Sequence, residues 1–189
     1  NERRGAAGTI FIYKVLGAAA EAGMSLDALL TLGKDVRART RTLAAAVAPG
    51  ISPLTGEVMF TLPDDEIFIG MGVHGEPGVG RRKVGPVADL VEFMVAEILT
   101  DCPISKGTPT VVLINGAGGT TQMELLTVFA EVTERLAEKG IPIVSPMIGS
   151  FSTTQEMRGF SISLFTPKHE MLEYWRAPQR SPNFPQIYG

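Results

Sequence analysis

The sequence predicts an α/β layered fold, a mixed β-sheet flanked by helices and preceded by an N-terminal helical pair, and three observations predict it. From Pro86 onward, segments with the apolar spacing of a helix alternate with short, continuously apolar segments of strand length, the pattern of helices laid over a buried sheet. Ahead of them, two β-rich segments flank Pro63-Asp64-Asp65, which reads as a hairpin and makes the sheet mixed in direction. The chain opens on two segments of helical character.

Taken in order, Gly8 to Ala22 is apolar on nearly every side. Ile10 to Tyr13 alone has strand character, but the length and the Ala18-Ala19-Ala20 run favour a buried helix ending at Gly23. Ser25 is placed to cap the next helix, on which Leu29, Leu32, Val36, Leu43 and Val47 form one face and Lys34, Arg37 and Arg41 the other. Composition changes after Pro49. Val58 to Thr61 and Ile67 to Val73 are the expected antiparallel pair. A helix through Val87, Leu90, Val91, Met94 and Ile98 follows, then a strand from Thr110 to Asn115. A helix through Leu125, Phe129, Val132 and Leu136 leads to a strand from Ile141 to Ile148. A strand from Gly159 to Phe165 and a short helix from Lys168 to Trp175 close the domain. The chain thus divides into one domain, 1–178, and a Pro-rich tail, 179–189, expected to lie extended over the surface or on a partner.

Length and charge narrow the function classes. A chain of 189 residues, 44% hydrophobic and 20% charged, can bury roughly 70% of the surface its unfolded form exposes, so its core needs neither metal nor disulfide. The single cysteine, Cys102, has no internal partner, which fits a reducing cytoplasm. With 17 basic and 20 acidic residues intermixed and a net charge of -3, there is no electrostatic footprint for nucleic acid or an anionic membrane. The most apolar stretch, Thr9 to Ala20, is cut by Lys14 and falls short of the ~20 residues of a membrane span. The chain begins Asn-Glu-Arg-Arg without an initiator methionine or a leader, as though taken from something longer.

The strongest candidate for chemistry is Gly70-Met71-Gly72-Val73-His74-Gly75-Glu76-Pro77-Gly78. Side-chain alternation along a strand puts His74 on the face of Gly70 and Gly72, beside clear space at a strand end. The plainer reading is that the glycines admit a close neighbour and that His74 is an ordinary satisfied histidine. Asn115-Gly116-Ala117-Gly118-Gly119-Thr120-Thr121 is a glycine-rich loop between strand and helix. Its amides suit an anion, or it is a tight turn that caps the helix through Thr120 or Thr121. It lacks the spacing of a dinucleotide fingerprint, and no P-loop occurs in the chain. Arg81-Arg82-Lys83 reads as a solvated loop, with a phosphate donor or an acidic partner as the alternative. His169 reads as surface. Two-histidine metal spacing, a cysteine cluster and Gly-x-Ser-x-Gly are all absent.

Three segments in order carry a family likeness. Gly5-Ala6-Ala7-Gly8-Thr9 through Lys14-Val15-Leu16-Gly17-Ala18-Ala19-Ala20-Glu21, then Gly72-Val73-His74-Gly75-Glu76-Pro77-Gly78, then Met157-Arg158-Gly159-Phe160-Ser161 resemble the substrate-binding subunit of dihydroxyacetone (glycerone) kinases, over its C-terminal half. The resemblance implies that His74 forms a covalent hemiaminal with the ketone carbon of dihydroxyacetone, with Gly72, Gly75 and Glu76 around the substrate. It implies no cofactor on this chain. It implies that the phosphate comes from ATP, with Mg, or from a phosphotransferase-system phosphoprotein, through a separate nucleotide-bearing subunit or domain that holds the ATP or ADP. Two further parts are implied: a preceding domain bearing a Gly-Gly-Gly-Ser-Gly-His-Glu-Pro loop, a lysine and an aspartate, and a homodimeric, cytoplasmic assembly. The family's Cys-Thr-x-Pro is here Gly50-Ile51-Ser52-Pro53, and its Leu-Gly-Ala-Thr is here Ala117-Gly118-Gly119-Thr120. These departures leave His74 in place but bear on which ketose is bound: dihydroxyacetone is the first choice, with erythrulose or another short ketose behind it. The alternative role is a regulatory paralogue that binds ketose or a protein partner without catalysing transfer.

Overall fold

A computed structural model describes residues 6–72, 78–179, 181 and 184. Helix α1 (Thr9–Glu21) and helix α2 (Leu26–Ala38) form the expected N-terminal pair. Gly23, at φ +86°, turns the chain between them, and the Ser25 hydroxyl caps α2 by accepting from the Ala28 amide at 3.5 Å.

The second helix stops at Ala38, well before the expected Val47, and Thr40–Ala48 is strand β1. The spacing of Leu43 and Val47 imitates a helical face, but pairing partners on both sides of this segment outweigh the helix preference of Ala44-Ala45-Ala46. Arg41, expected on a polar helix face, instead donates from Nη1 to the carbonyls of Ala38 and Thr40 at the end of α2. It lies beside Asp101.

Strand β2 (Glu66–Ile69), strand β3 (Gly80–Lys83), helix α3 (Val87–Asp101), strand β4 (Thr110–Gly116), helix α4 (Gln122–Glu138), strand β5 (Ile143–Gly149), strand β6 (Arg158–Phe165) and helix α5 (His169–Arg176) complete the chain. Among the described residues the sheet has six strands in the order β3-β2-β1-β6-β4-β5. Only β4 and β5 pair in parallel, so the sheet is mixed, as the sequence predicts.

The front hairpin differs from its expectation. Val58 makes only an isolated antiparallel bridge to Ile51, and β2 pairs instead with β1 and β3. Arg81-Arg82-Lys83, read from sequence as a solvated loop, is an exposed edge strand. Cross-strand charge holds it there. Lys83 lies opposite Glu66, 3.3 Å away, and reaches Asp65 at 2.7 Å, while Arg81 reaches Glu66 at 3.4 Å. Such a charged edge also resists pairing with other strands.

Both faces of the sheet are covered. Val112, Ile114, Ile162 and Leu164 meet α3 and α4 in one core, and Val111, Leu113 and Phe165 meet α1 and α5 in the other. Every residue of β4 is therefore buried. In the second core Phe11 stacks on Phe165 and meets Trp175 edge-on, each at 5.3 Å. The indole of Trp175 donates to Ser145 Oγ at 2.9 Å. Phe184 of the tail packs on Trp175 and Phe151. His169 is exposed, as expected. Among the described residues, no helix is long and apolar enough to cross a membrane.

Candidate active site

The loop from Gly70 to Val79 joins β2 to β3, and its root is the best-defined part of the candidate site. Strand β2 ends at Ile69, short of the expected Val73. The Gly70 amide donates to the Ala44 carbonyl at 2.6 Å, and its φ of +74° takes the chain out of the strand line. The expected alternation of Phe68, Gly70, Gly72 and His74 on one strand face is therefore broken at Gly70. Met71 packs instead into a small cluster with Ala46, Ala117 and Met157, against Phe60 and Phe68. Gly72 is half-buried. His74, Gly75 and Glu76 lie outside the described residues. The returning strand is anchored on the residue the loop left, because the Val79 amide donates to the Ile69 carbonyl at 2.8 Å.

Beside Met71 lies the glycine-rich loop, and the structure assigns its amides. Ala117 N–H donates to the Gly159 carbonyl at 2.9 Å and Gly119 N–H to the Met157 carbonyl at 2.9 Å. Thr121 N–H donates to Glu124 Oε2 at 2.8 Å, completing a reciprocal capping box with the Thr121 hydroxyl at the start of α4. The helix-capping reading is thus the one realised. Gly118 is required by closeness: a Cβ there would lie 1.8 Å from the Gln155 carbonyl oxygen, at a φ of +134°. The backbone bond and side-chain bond from Thr121, and more weakly the charge of Arg158, hold Glu124 below the usual carboxylate range, against a small opposing effect of burial.

Two interactions that sequence reasoning missed lock this end of the sheet. Asn115, 4% exposed, accepts at Oδ1 from the amides of Phe151 at 2.9 Å and Ser152 at 2.8 Å. Its Nδ2 donates to the carbonyls of Ser152 at 2.8 Å and Gly116 at 3.1 Å. The side chain is fully satisfied and clamps the 151–152 segment to the end of β4. Glu156 Oε1 accepts from the Ile51 amide at 3.1 Å, which fastens the 50–59 segment across the same surface. An asparagine ending a buried strand before a glycine run is the only sequence signal of the first clamp. For the second there was none.

Under Met71 the packing leaves a cavity of only about 20 Å³, lined in part by Ala46, Asn115, Ala117, Met157 and Ser161. It has room for about one water molecule. Met71 and its neighbours therefore form a closely packed apolar cluster with no room for a larger molecule among them. Among the described residues no group of acidic, histidine or cysteine side chains is arranged to hold a metal ion.

The Dak1 domain family model matches residues 1–183. The dihydroxyacetone-binding subunit of PTS-dependent dihydroxyacetone kinase 1 from Listeria innocua is 40% identical over 168 residues, covering 89% of this chain and 51% of that protein. The L-erythrulose kinase of Pectobacterium atrosepticum is 35% identical over 187 residues, covering 97% of this chain and 32% of that protein. Among solved structures, a dihydroxyacetone kinase operon co-activator superposes with a TM-score of 0.87 at 30% identity, over 94% of this chain and 55% of that one. The chain thus spans about half or less of the length of these relatives. On the extent of that match and those identities, the chain belongs to the Dak1 family of dihydroxyacetone kinase substrate-binding subunits.

Proposed function

We propose that this chain is the ketose-capturing component of a kinase for dihydroxyacetone or a closely related short ketose, and that His74 is the residue that captures it. The observation that carries this reading is the His74-Gly75-Glu76-Pro77-Gly78 motif, in a family member, between a Gly70 amide bonded to the Ala44 carbonyl and a Val79 amide bonded to the Ile69 carbonyl. The unprotonated imidazole nitrogen adds to the ketone carbon, forming a C–N bond. The C=O π electrons move to oxygen, which takes up a proton as the ring releases its N–H proton. Nothing leaves, so the hemiaminal forms and reverses without a co-reactant. Glycerol offers no carbonyl and is passed over, and the captured ketose presents a hydroxyl in fixed position. Gly72 and Gly75, which carry no side chain, and Glu76, the nearest carboxylate in sequence, are the residues assigned around it.

Phosphoryl transfer falls to a nucleotide-bearing partner carrying Mg-ATP or to a chain recharged by a phosphoprotein. This division is supported by the glycine-rich loop, whose Ala117, Gly119 and Thr121 amides are already spent on the chain's own acceptors. The groups that position and deprotonate the substrate hydroxyl are assigned to residues outside this sequence, and the working unit to a cytoplasmic homodimer. The test is phosphate transfer to dihydroxyacetone by the full-length protein mixed with the nucleotide-bearing subunit. Turnover that is lost in His74→Ala is expected, and undiminished turnover in that variant contradicts the proposal.

A second reading has one observation in its favour: the structural match to a protein named as an operon co-activator. In that role His74 still takes up ketose but no phosphate moves. Ketose binding without turnover, in the presence of every kinase component, separates it from the first.

A further inference from the structure

On the face of the sheet covered by α3 and α4, opposite Met71, a cleft of about 410 Å³ opens between the first turns of those two helices. Its floor is apolar: Val47, Ile67, Leu90, Val128 and Phe160. Its rim carries Arg82, Lys83 and Arg158 against Asp89 and Glu124. Two of these charges are already committed. Lys83 is taken by Asp65 and Glu66, and Glu124 by the capping box at Thr121. Arg158 approaches Glu124 only to 3.9 Å, with both side chains largely exposed. Arg82 has no carboxylate partner among the described residues; its guanidinium lies over the ring of Phe93, 4.0 Å from the centroid. A stacked guanidinium is held flat, which leaves its N–H edge ready to bind a carboxylate through paired bonds. Arg82 and Arg158 against Asp89 leave a single positive excess.

We propose that this cleft is a second binding site, for a small monocarboxylate with an apolar body, its carboxylate on Arg82 and its body on the floor between β2, β6 and α4. The volume lies in the range of small-molecule sites, and an apolar lining with a few convergent polar groups is their usual make-up. The site is independent of ketose capture. The cleft nonetheless touches the candidate loop's supports, since Ile67 belongs to β2 and Arg82 to β3, the two strands that carry it.

Octanoate titrated into the full-length protein, followed by calorimetry and by backbone amide NMR, tests the assignment. Saturable binding is expected, with shifts centred on Val47, Ile67 and Val128. Arg82→Gln, an exposed edge-strand change, should weaken it by about tenfold or more. Thr127→Trp, at the exposed mouth, should block it. Octylamine and octanol should bind far more weakly. Absence of saturable binding, which includes a cleft covered by the protein's own chain or a partner, overturns the proposal. So do equal binding of octylamine, unchanged affinity in Arg82→Gln, or shifts that map away from the cleft.

Discussion

Replacing Asn115 by alanine should be among the most damaging single changes at the sheet end, and the structure sets the size of the effect. The wild-type amide makes four hydrogen bonds, with the amides of Phe151 and Ser152 and the carbonyls of Ser152 and Gly116. Alanine removes all four at a position 4% exposed. At about 1 kcal/mol net for each bond the loss approaches ~4 kcal/mol. The bonds to Phe151 and Ser152 are only part-buried, so water recovers some of them, and a destabilisation of about 2–4 kcal/mol is expected. Urea denaturation reads this directly as a lower midpoint at unchanged slope. Amide exchange should quicken first in the 150–157 segment. Asn115→Asp supplies an independent check. Its carboxylate can still accept from Phe151 and Ser152, but its second oxygen faces two carbonyls. The folded state therefore favours the protonated acid and its pKa lies above the unfolded value, so stability is retained below the unfolded carboxylate pKa of ~3.9 and lost as pH rises. A loss below about 0.5 kcal/mol in Asn115→Ala, or an Asn115→Asp variant no less stable at neutral pH than in acid, would refute the clamp.

Two further variants probe other parts of the structure. Gly118→Ala must fit a Cβ 1.8 Å from the Gln155 carbonyl oxygen at a positive φ, so a thermal melt should show a loss of about 2 kcal/mol or more; an unchanged melting temperature would mean that the two loops do not meet. Burial raises the Asp35 carboxyl, but hydrogen bonds from Lys168 and Arg39 and the charges of both outweigh it and hold the group below the usual range. A depressed folded pKa gives stability that is present above the unfolded value of ~3.9 and lost as pH falls through the folded one. Asp35→Asn should therefore cost about 1 kcal/mol or less at neutral pH, given its partial exposure, and lose part of the acid limb of the stability profile. An unaltered limb counts against the pairing.

How legible the fold was depended on where each segment's stability comes from. Strand β4 and helices α3 and α4 declare themselves because their own apolar patterns match their burial, down to Val111, Val112, Leu113 and Ile114 being apolar on both faces, whereas β6 shows only one apolar face although Ser161 and Ser163 are buried as well. Strand β1 was misread as helix because Ala44, Ala45 and Ala46 carry no strand signal of their own; neighbours distant in sequence, Ser161 and Phe160 among them, make it a strand. Strand β3 was missed because its stabilising charges lie across the ladder on Asp65 and Glu66. The candidate loop was found as a motif, but its path was not: the exit at Gly70 goes with its bond to the Ala44 carbonyl, and Met71 is buried against Ala46, Ala117 and Met157, contacts distant in sequence that local alternation does not encode.

Covalent capture of a ketose on His74 can be read by carbon-13 NMR of the full-length protein with dihydroxyacetone labelled at its carbonyl carbon. Capture predicts that the bound carbon leaves the ketone region for that of a tetrahedral carbon bearing nitrogen and oxygen. The signal should be absent in His74→Ala and should fade in acid, where protonation of an imidazole removes its nucleophilic lone pair. A bound ketose whose labelled carbon stays trigonal, or a tetrahedral signal that persists in His74→Ala, would contradict it.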